Sequence, residues 1–288
     1  MAKKPLKYYV VDAFTDSAFK GNPAAVCLLE EDKDDAWLQA LAAEFNITAT
    51  CYLTRIHYSL NGASINPCFR LRWFSPLTEA KLCGHATLAA AHALFSSGLV
   101  DTSNIEFVTL SGLLTAKKIS NLEKGEAHIE LDFPADPIEE LNFDGTEQIS
   151  VALKGASIVD IKRTHNVDDL LVEVTSANNI IEVEPQYDEI VKCPGRGIIV
   201  SGIAPPKSGF DFYTRFFVPK YGVNEDPVCG SAHCALASYW SKKLGKCDFK
   251  AYQASPRGGI LNIHLDEENQ RVFLRGTAVT VMEGCVLV

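Results

Sequence analysis

Two stretches of this chain repeat one order of residues. Arg72-Trp73-Phe74-Ser75-Pro76 leads through a short loop to Cys83-Gly84, and Arg215-Phe216-Phe217-Val218-Pro219 leads through a short loop to Cys229-Gly230. Each Cys-Gly opens an alanine-rich segment, 86–95 and 232–244, that has high helix propensity and is apolar over most of its surface. A helix without a polar face cannot lie on a surface, so each must be enclosed by other elements. After each helix comes a strand ending in a turn, Ser111-Gly112 in one half and Ser255-Pro256-Arg257-Gly258-Gly259 in the other. Packing alone accounts for the repeated arginine and proline. A purely structural helix start rarely needs a cysteine, so Cys-Gly points to chemistry.

The rest of the pattern fits two such halves. The 288 residues are long for one compact domain and suit two. In the first half, strands are predicted over 8–14 and 24–29, forming a hairpin around Gly21-Asn22-Pro23, then over 50–53, 69–74, 105–110, 114–119 and 127–133. A helix is predicted over 34–45, with Asp34 as its cap. Pro134, Asp136 and Pro137 break the pattern and divide the chain into 1–133 and 134–283, with a terminal strand at 284–288 able to join the first half. Strands in the second half are predicted over 170–174, 180–183, 197–201, 210–217, 250–254, 260–265, 272–275 and 278–282. The fold class is α+β, built from two pseudo-symmetric halves.

Composition excludes several partners. The net charge is -9, which repels phosphate backbones and argues against nucleic acid. Lys3, Lys4 and Lys7 read as a frayed, solvated start. No stretch approaches ~18 uninterrupted apolar residues and no leader pattern opens the chain, so the expectation is a cytoplasmic protein with no membrane contact. Nine cysteines without framework spacing should then be reduced. The Asn46-Ile47-Thr48 sequon carries no glycan on such a chain.

A helix N-terminus carries unpaired N–H groups and partial positive charge. Two such ends would suit a substrate carboxylate bound between the halves. The same field favours a cysteine thiolate, and Gly84 and Gly230 let backbone N–H groups approach a ligand closely. Cys83 and Cys229 could flank one substrate carbon, one taking a proton as thiolate and the other returning one as thiol, as a racemase or epimerase requires. His85 stands beside Cys83. Asp226 precedes Cys229, where it either complements a helix start or orients His85 or a substrate ammonium. Arg257 with Gly258 is an anion-site candidate, with Ser111 and Gly112 as its counterpart. Cys229, His233 and Cys234 have the look of metal ligands, but no second Cys/His pair completes a set, so no metal is expected. His92 reads as a helix-face histidine. Gly195-Arg196-Gly197 lacks the third glycine and the following helix of a dinucleotide loop, so it is discounted.

Several motifs in one order resemble the phenazine-biosynthesis PhzF-like family: Asp12-Ala13-Phe14, Gly21-Asn22-Pro23-Ala24-Ala25-Val26, Phe74-Ser75-Pro76, Cys83-Gly84-His85-Ala86-Thr87 and Glu225-Asp226-Pro227-Val228-Cys229-Gly230-Ser231-Ala232. The resemblance implies the diaminopimelate epimerase-like fold, in which each half is an open β-barrel around a central helix. It implies an isomerase that moves a proton on a small carboxylate-bearing molecule without metal or organic cofactor, acting as a homodimer. It places His85, Asp226, Ser231 and Asn22 in the site. The family's general base is a glutamate in an Asn-Leu-Ser-Glu motif, and here the matching segment is Asn46-Ile47-Thr48-Ala49. Glu44 is poorly placed to replace it. Epimerases and racemases of the same fold carry a cysteine at both Cys-Gly positions, as this chain does, although they have asparagine where this chain keeps His85. The leading expectation is therefore an isomerase of epimerase or racemase type. The alternatives are a phenazine-type isomerase working through Asp226 or His85, and a non-catalytic binding protein.

Overall fold

The computed structural model describes residues 5–56, 66–120, 127–141 and 145–287. Lys3, Lys4 and Val288 lie outside the described residues. The fold is α+β, mostly strands with few helices, and the chain divides into two compact units, 1–133 with 275–288 and 134–274.

In the first unit, β1 (Leu6–Ala13) and β2 (Asn22–Leu29) form an antiparallel hairpin. Its connection is held by Asp12, which is buried and accepts from the Phe19 N–H at 2.7 Å. Gly21 ends the connection at φ 61°, where a Cβ would strike the Ala13 carbonyl, so only glycine fits. Helix α1 (Asp35–Phe45) starts at Asp34, whose carboxylate accepts from the Trp37 N–H at 2.8 Å. β3 (Ala49–Ile56) then runs parallel to β2, and β4 (Cys68–Phe74) runs antiparallel to β3. β5 (Glu79–Ala80) pairs with β4 and leads into α2 (Gly84–Ser96). β6 (Asn104–Thr109) pairs parallel with β4, β7 (Gly112–Ser120) antiparallel with β6, and β8 (Ala127–Pro134) antiparallel with β7. Helix α2 is buried from Gly84 through Ala91 and packs on β1, β2, β3 and β7. Its alanines let those strands approach closely.

The second unit holds β9 (Ile138–Glu140), α3 (Thr146–Ala152), β10 (Ile158–Thr164), β11 (Leu170–Val174), α4 (Ala177–Glu182), α5 (Tyr187–Lys192), β12 (Ile198–Ile203), β13 (Phe212–Val218), β14 (Val223–Asp226), α6 (Gly230–Leu244), β15 (Asp248–Gln253), β16 (Gly259–Asp266) and β17 (Arg271–Gly276). The pairings recur in the order of the first unit. β10–β11 is antiparallel, β11–β12 parallel, β12–β13 and β13–β14 antiparallel, β13–β15 parallel and β15–β16 antiparallel. β18 (Ala278–Val286) then pairs with β1 from Val286 opposite Leu6 to Ala278 opposite Ala13, returning the chain to the first unit.

The repeated arginine is a structural pin. Arg72 makes two 2.7 Å bonds to Glu79 and lies over the Phe74 ring, while Arg215 makes bonds of 2.7 and 2.8 Å to Glu225 and lies over Phe217. Each fork ties β4 or β13 to the segment that leads to a cysteine.

One predicted strand is corrected. Residues 180–183 lie in and just after helix α4, which Ser176 caps by accepting from the Asn179 N–H. A short apolar run has no period long enough to separate strand from helix. Among the described residues no helix is long and apolar enough to cross a membrane.

Candidate active site

Each unit presents the N-terminus of a buried helix, capped by a cysteine in extended conformation. Cys83 has φ -140° and ψ 104°, and Cys229 has φ -104° and ψ 105°. In both helices the residue four positions on bonds back to the cap carbonyl. Thr87 Oγ1 donates to the Cys83 C=O at 2.7 Å, and His233 Nδ1 donates to the Cys229 C=O at 2.7 Å. Both loops are also held by a serine from the strand end after the helix. Ser111 Oγ donates to the Lys81 carbonyl and Ser255 Oγ to the Pro227 carbonyl, each at 2.7 Å. In each unit that carbonyl lies two residues before the cysteine. Ser111, expected to touch substrate, thus gives its proton to the protein, and its true counterpart is Ser255.

In the first unit, His85 Nδ1 is 3.5 Å from Cys83 Sγ, and its Nε2 is 3.4 Å from Thr48 Oγ1. The Thr48 hydroxyl lies 2.6 Å from both Asn22 Oδ1 and the Pro23 carbonyl. Its single proton is engaged there, so its oxygen accepts from His85 Nε2–H. The Nδ1 lone pair then faces the Cys83 thiol. Burial keeps the imidazole neutral, with its pKa pushed down to about 3. Asn22, Cys83, Gly84 and His85 are thereby gathered at one helix start, with Thr48 as the link between them. Ala49 is buried and carries no proton, while Glu44 is exposed.

In the second unit, β15 organises the corresponding start. Gln253 is fully buried, accepts from the Cys229 N–H at 2.8 Å and donates to the Asp226 carbonyl at 2.6 Å. Asp226 Oδ1 accepts from the Val228 N–H at 3.1 Å. Burial raises the Asp226 carboxyl to about 6, against the lowering pull of Arg196, the Val228 N–H and the Cys229 thiol. At Cys229 burial opposes the thiolate-favouring field of the helix start. The residue is only 5% exposed, and burial, then Asp226, raise its pKa to about 12 despite Arg196 and Ser231. Desolvation outweighs the helix field, and Cys229 is a thiol. Ser231 Oγ lies 3.3 Å from Cys229 Sγ and accepts from Arg196 Nη2 at 3.3 Å.

Arg257 and Gly258 lie in the turn between β15 and β16. Gly258, at φ 67°, donates its N–H to Ser255 Oγ at 3.1 Å. Gly112 opens β7 directly after the β6–β7 turn, at φ 86°. His92 sits on a helix face, 3.1 Å from Thr280 Oγ1. Among the described residues no cluster of His, Cys, Asp or Glu could hold a metal. Thr48, Gln253, Ser255 and Arg196 escaped the sequence analysis as site residues. Only the repeat, which aligns Ser111 with Ser255, and the glycines flanking Arg196 gave a signal.

The family described as Phenazine biosynthesis-like protein matches residues 11–284. An uncharacterized isomerase of Halalkalibacterium halodurans is 45% identical over 280 residues, covering 97% of each chain. A crystal structure of a phenazine biosynthesis protein of the PhzF family from Enterococcus faecalis superposes with a TM-score of 0.84 at 35% identity, covering 99% of this chain and 100% of that one. A hydroxyproline epimerase from Agrobacterium vitis shares the fold, with a TM-score of 0.67 at 12% identity over 99% of this chain and 93% of that one.

Proposed function

The chain belongs to the phenazine biosynthesis-like family, and from that premise we propose that it is an isomerase of epimerase or racemase type, moving a proton on a small carboxylate-bearing substrate, without metal or organic cofactor. The observation that carries this reading is the pair of cysteine-capped, buried helix starts, each with an acid–base group beside its cysteine. Asp226, with a pKa of about 6, is mostly ionised at neutral pH and takes the proton from carbon. The electron pair left behind spreads into the substrate carboxylate, where helix N–H groups stabilise it. Cys83 S–H returns a proton, with the His85 Nδ1 lone pair beside it, and exchange with water resets both groups. In the reverse direction Cys83 as thiolate takes the proton and protonated Asp226 returns one, while Cys229, as a thiol, supports Asp226. The name of the Halalkalibacterium halodurans relative supports the reaction class. The family resemblance further suggests a cytoplasmic homodimer in which each half is an open β-barrel around its apolar helix.

The test is α-hydrogen exchange in deuterated water, followed by proton NMR over a panel of amino and hydroxy acids. Exchange on one of them, lost in Cys83→Ala and reduced in Cys229→Ala, supports the reading. Full exchange in both variants would remove the cysteines from the chemistry. A second reading, phenazine-type isomerisation with Asp226 as base, draws on the buried Ala49. It requires that Ala49→Glu raise turnover of a dihydro-hydroxyanthranilate-like substrate, and a folded variant without that gain would end it.

A further inference from the structure

Gly195-Arg196-Gly197 does not match a dinucleotide loop, yet its geometry is exacting. Gly195 has φ 75°, and a Cβ there would lie 2.5 Å from the Asp168 carbonyl oxygen. A Cβ on Gly197 would lie 2.5 Å from the Phe217 carbonyl oxygen. Both flanks therefore require glycine, and between them the Arg196 N–H donates to the Asp168 carbonyl at 2.6 Å. The turn delivers the Arg196 side chain into the protein. Its Nε and Nη2 grip Asp169, which is fully buried, at 2.9 and 2.5 Å. Its guanidinium lies over the Phe216 ring at 5.2 Å. Nη2 also reaches Ser231 Oγ.

That contact orders a chain of donors. Arg196 Nη2 donates to Ser231 Oγ, which lies 3.3 Å from Cys229 Sγ; with the Cys229 S–H lowering the Asp226 carboxyl its proton is directed there, and the sulfur accepts from the Ser231 O–H. The chain has a cation at one end and a carboxylate at the other, so each bond polarises the next. We propose that Arg196 is a positioning residue of the second unit's helix start: it fixes the direction of the hydrogen-bond chain through Ser231 and Cys229 and holds Asp226 as the base. This inference rests on the function proposed above.

Among the described residues, Arg196, Asp169, Cys229 and the Val228 N–H all act on the Asp226 carboxyl. Arg196 lowers its pKa and Asp169 raises it, with Arg196 the larger influence. Removing an adjacent opposite charge raises a carboxyl pKa by about 1–3 units. A rise of about two units would drop the ionised fraction at pH 7 from about nine-tenths to about one-tenth.

The experiment is a 13Cγ NMR titration of aspartate-labelled, full-length protein without substrate, with the Asp226 resonance assigned by its loss in Asp226→Asn. Arg196→Met should move the Asp226 midpoint upward by at least about one unit. Arg196→Lys keeps the charge and loses the fork, so the midpoint should stay near the wild-type value while substrate exchange falls about tenfold or more. If Arg196→Met does not fold, Asp169→Asn with Arg196→Met carries the test, and its midpoint should still rise. An unchanged midpoint in either folded variant overturns the inference, as does an equal shift in Arg196→Lys and Arg196→Met. The titration needs no turnover, so a moved midpoint in a protein that exchanges no substrate hydrogen would fail the proposed function alone.

Discussion

Gln253→Leu tests whether one buried amide holds the second helix start in place. Gln253 is fully buried and makes two bonds, one from the Cys229 N–H and one to the Asp226 carbonyl. Leucine fills similar space and makes neither. Each polar group left buried without a partner costs roughly 1–3 kcal/mol, so the pair should cost about 2–6 kcal/mol. That is a large share of the ~5–15 kcal/mol that holds a domain folded. Urea unfolding followed by far-ultraviolet circular dichroism reads it as a lower midpoint. Gln253→Glu sharpens the test. It keeps the acceptor for Cys229 but sets a second oxygen against the Asp226 carbonyl, so it should be unstable at neutral pH and recover as acid protonates the new carboxyl. A Gln253→Leu protein within about 1 kcal/mol of wild type would refute the reasoning.

Further outcomes follow from the same geometry. Gly197→Ala should be destabilised by roughly 1–3 kcal/mol because its Cβ would meet the Phe217 carbonyl, and thermal unfolding measures this. His85 and His233, with pKa values lowered by burial to about 3 and about 4, bind fewer protons folded than unfolded. Their contribution to stability is present above pH ~6.5 and is lost as pH falls toward those values. Asp226 has the opposite sign. Raised to about 6, it binds more protons folded than unfolded between the ordinary carboxyl value and pH 6. Asp226→Asn removes that offset, so stability should fall more steeply from pH 6 to pH 4, by close to one proton in the slope, read from urea midpoints against pH. Thr48→Val should loosen His85 by removing its Nε2 partner, lowering exchange several-fold with little change in stability, because the residue is only partly buried.

The buried helices were legible because an alanine-rich segment with no polar face has few places to go, and the cysteine caps were legible because they repeat. Other features depend on residues distant in the chain. Thr48 meets Asn22, Arg196 meets Asp169, and Gln253 meets Cys229 only once parallel strands bring them together. Which cysteine stays a thiol was not legible, because a helix start is visible in sequence whereas desolvation is not. Helix α4 was misread because six residues carry too little periodicity.

The bonds that pin each cysteine loop come from the serine at a strand end and from the residue four positions into the helix. None of them uses the residue two positions after the cysteine, which is His85 in one unit and Ser231 in the other. Those two side chains are buried and lie against the cysteine sulfurs, so they set what stands beside each thiol rather than how each loop is pinned. Duplicated halves can therefore drift apart in chemistry while staying alike in architecture, one carrying an imidazole and the other a hydroxyl backed by a guanidinium.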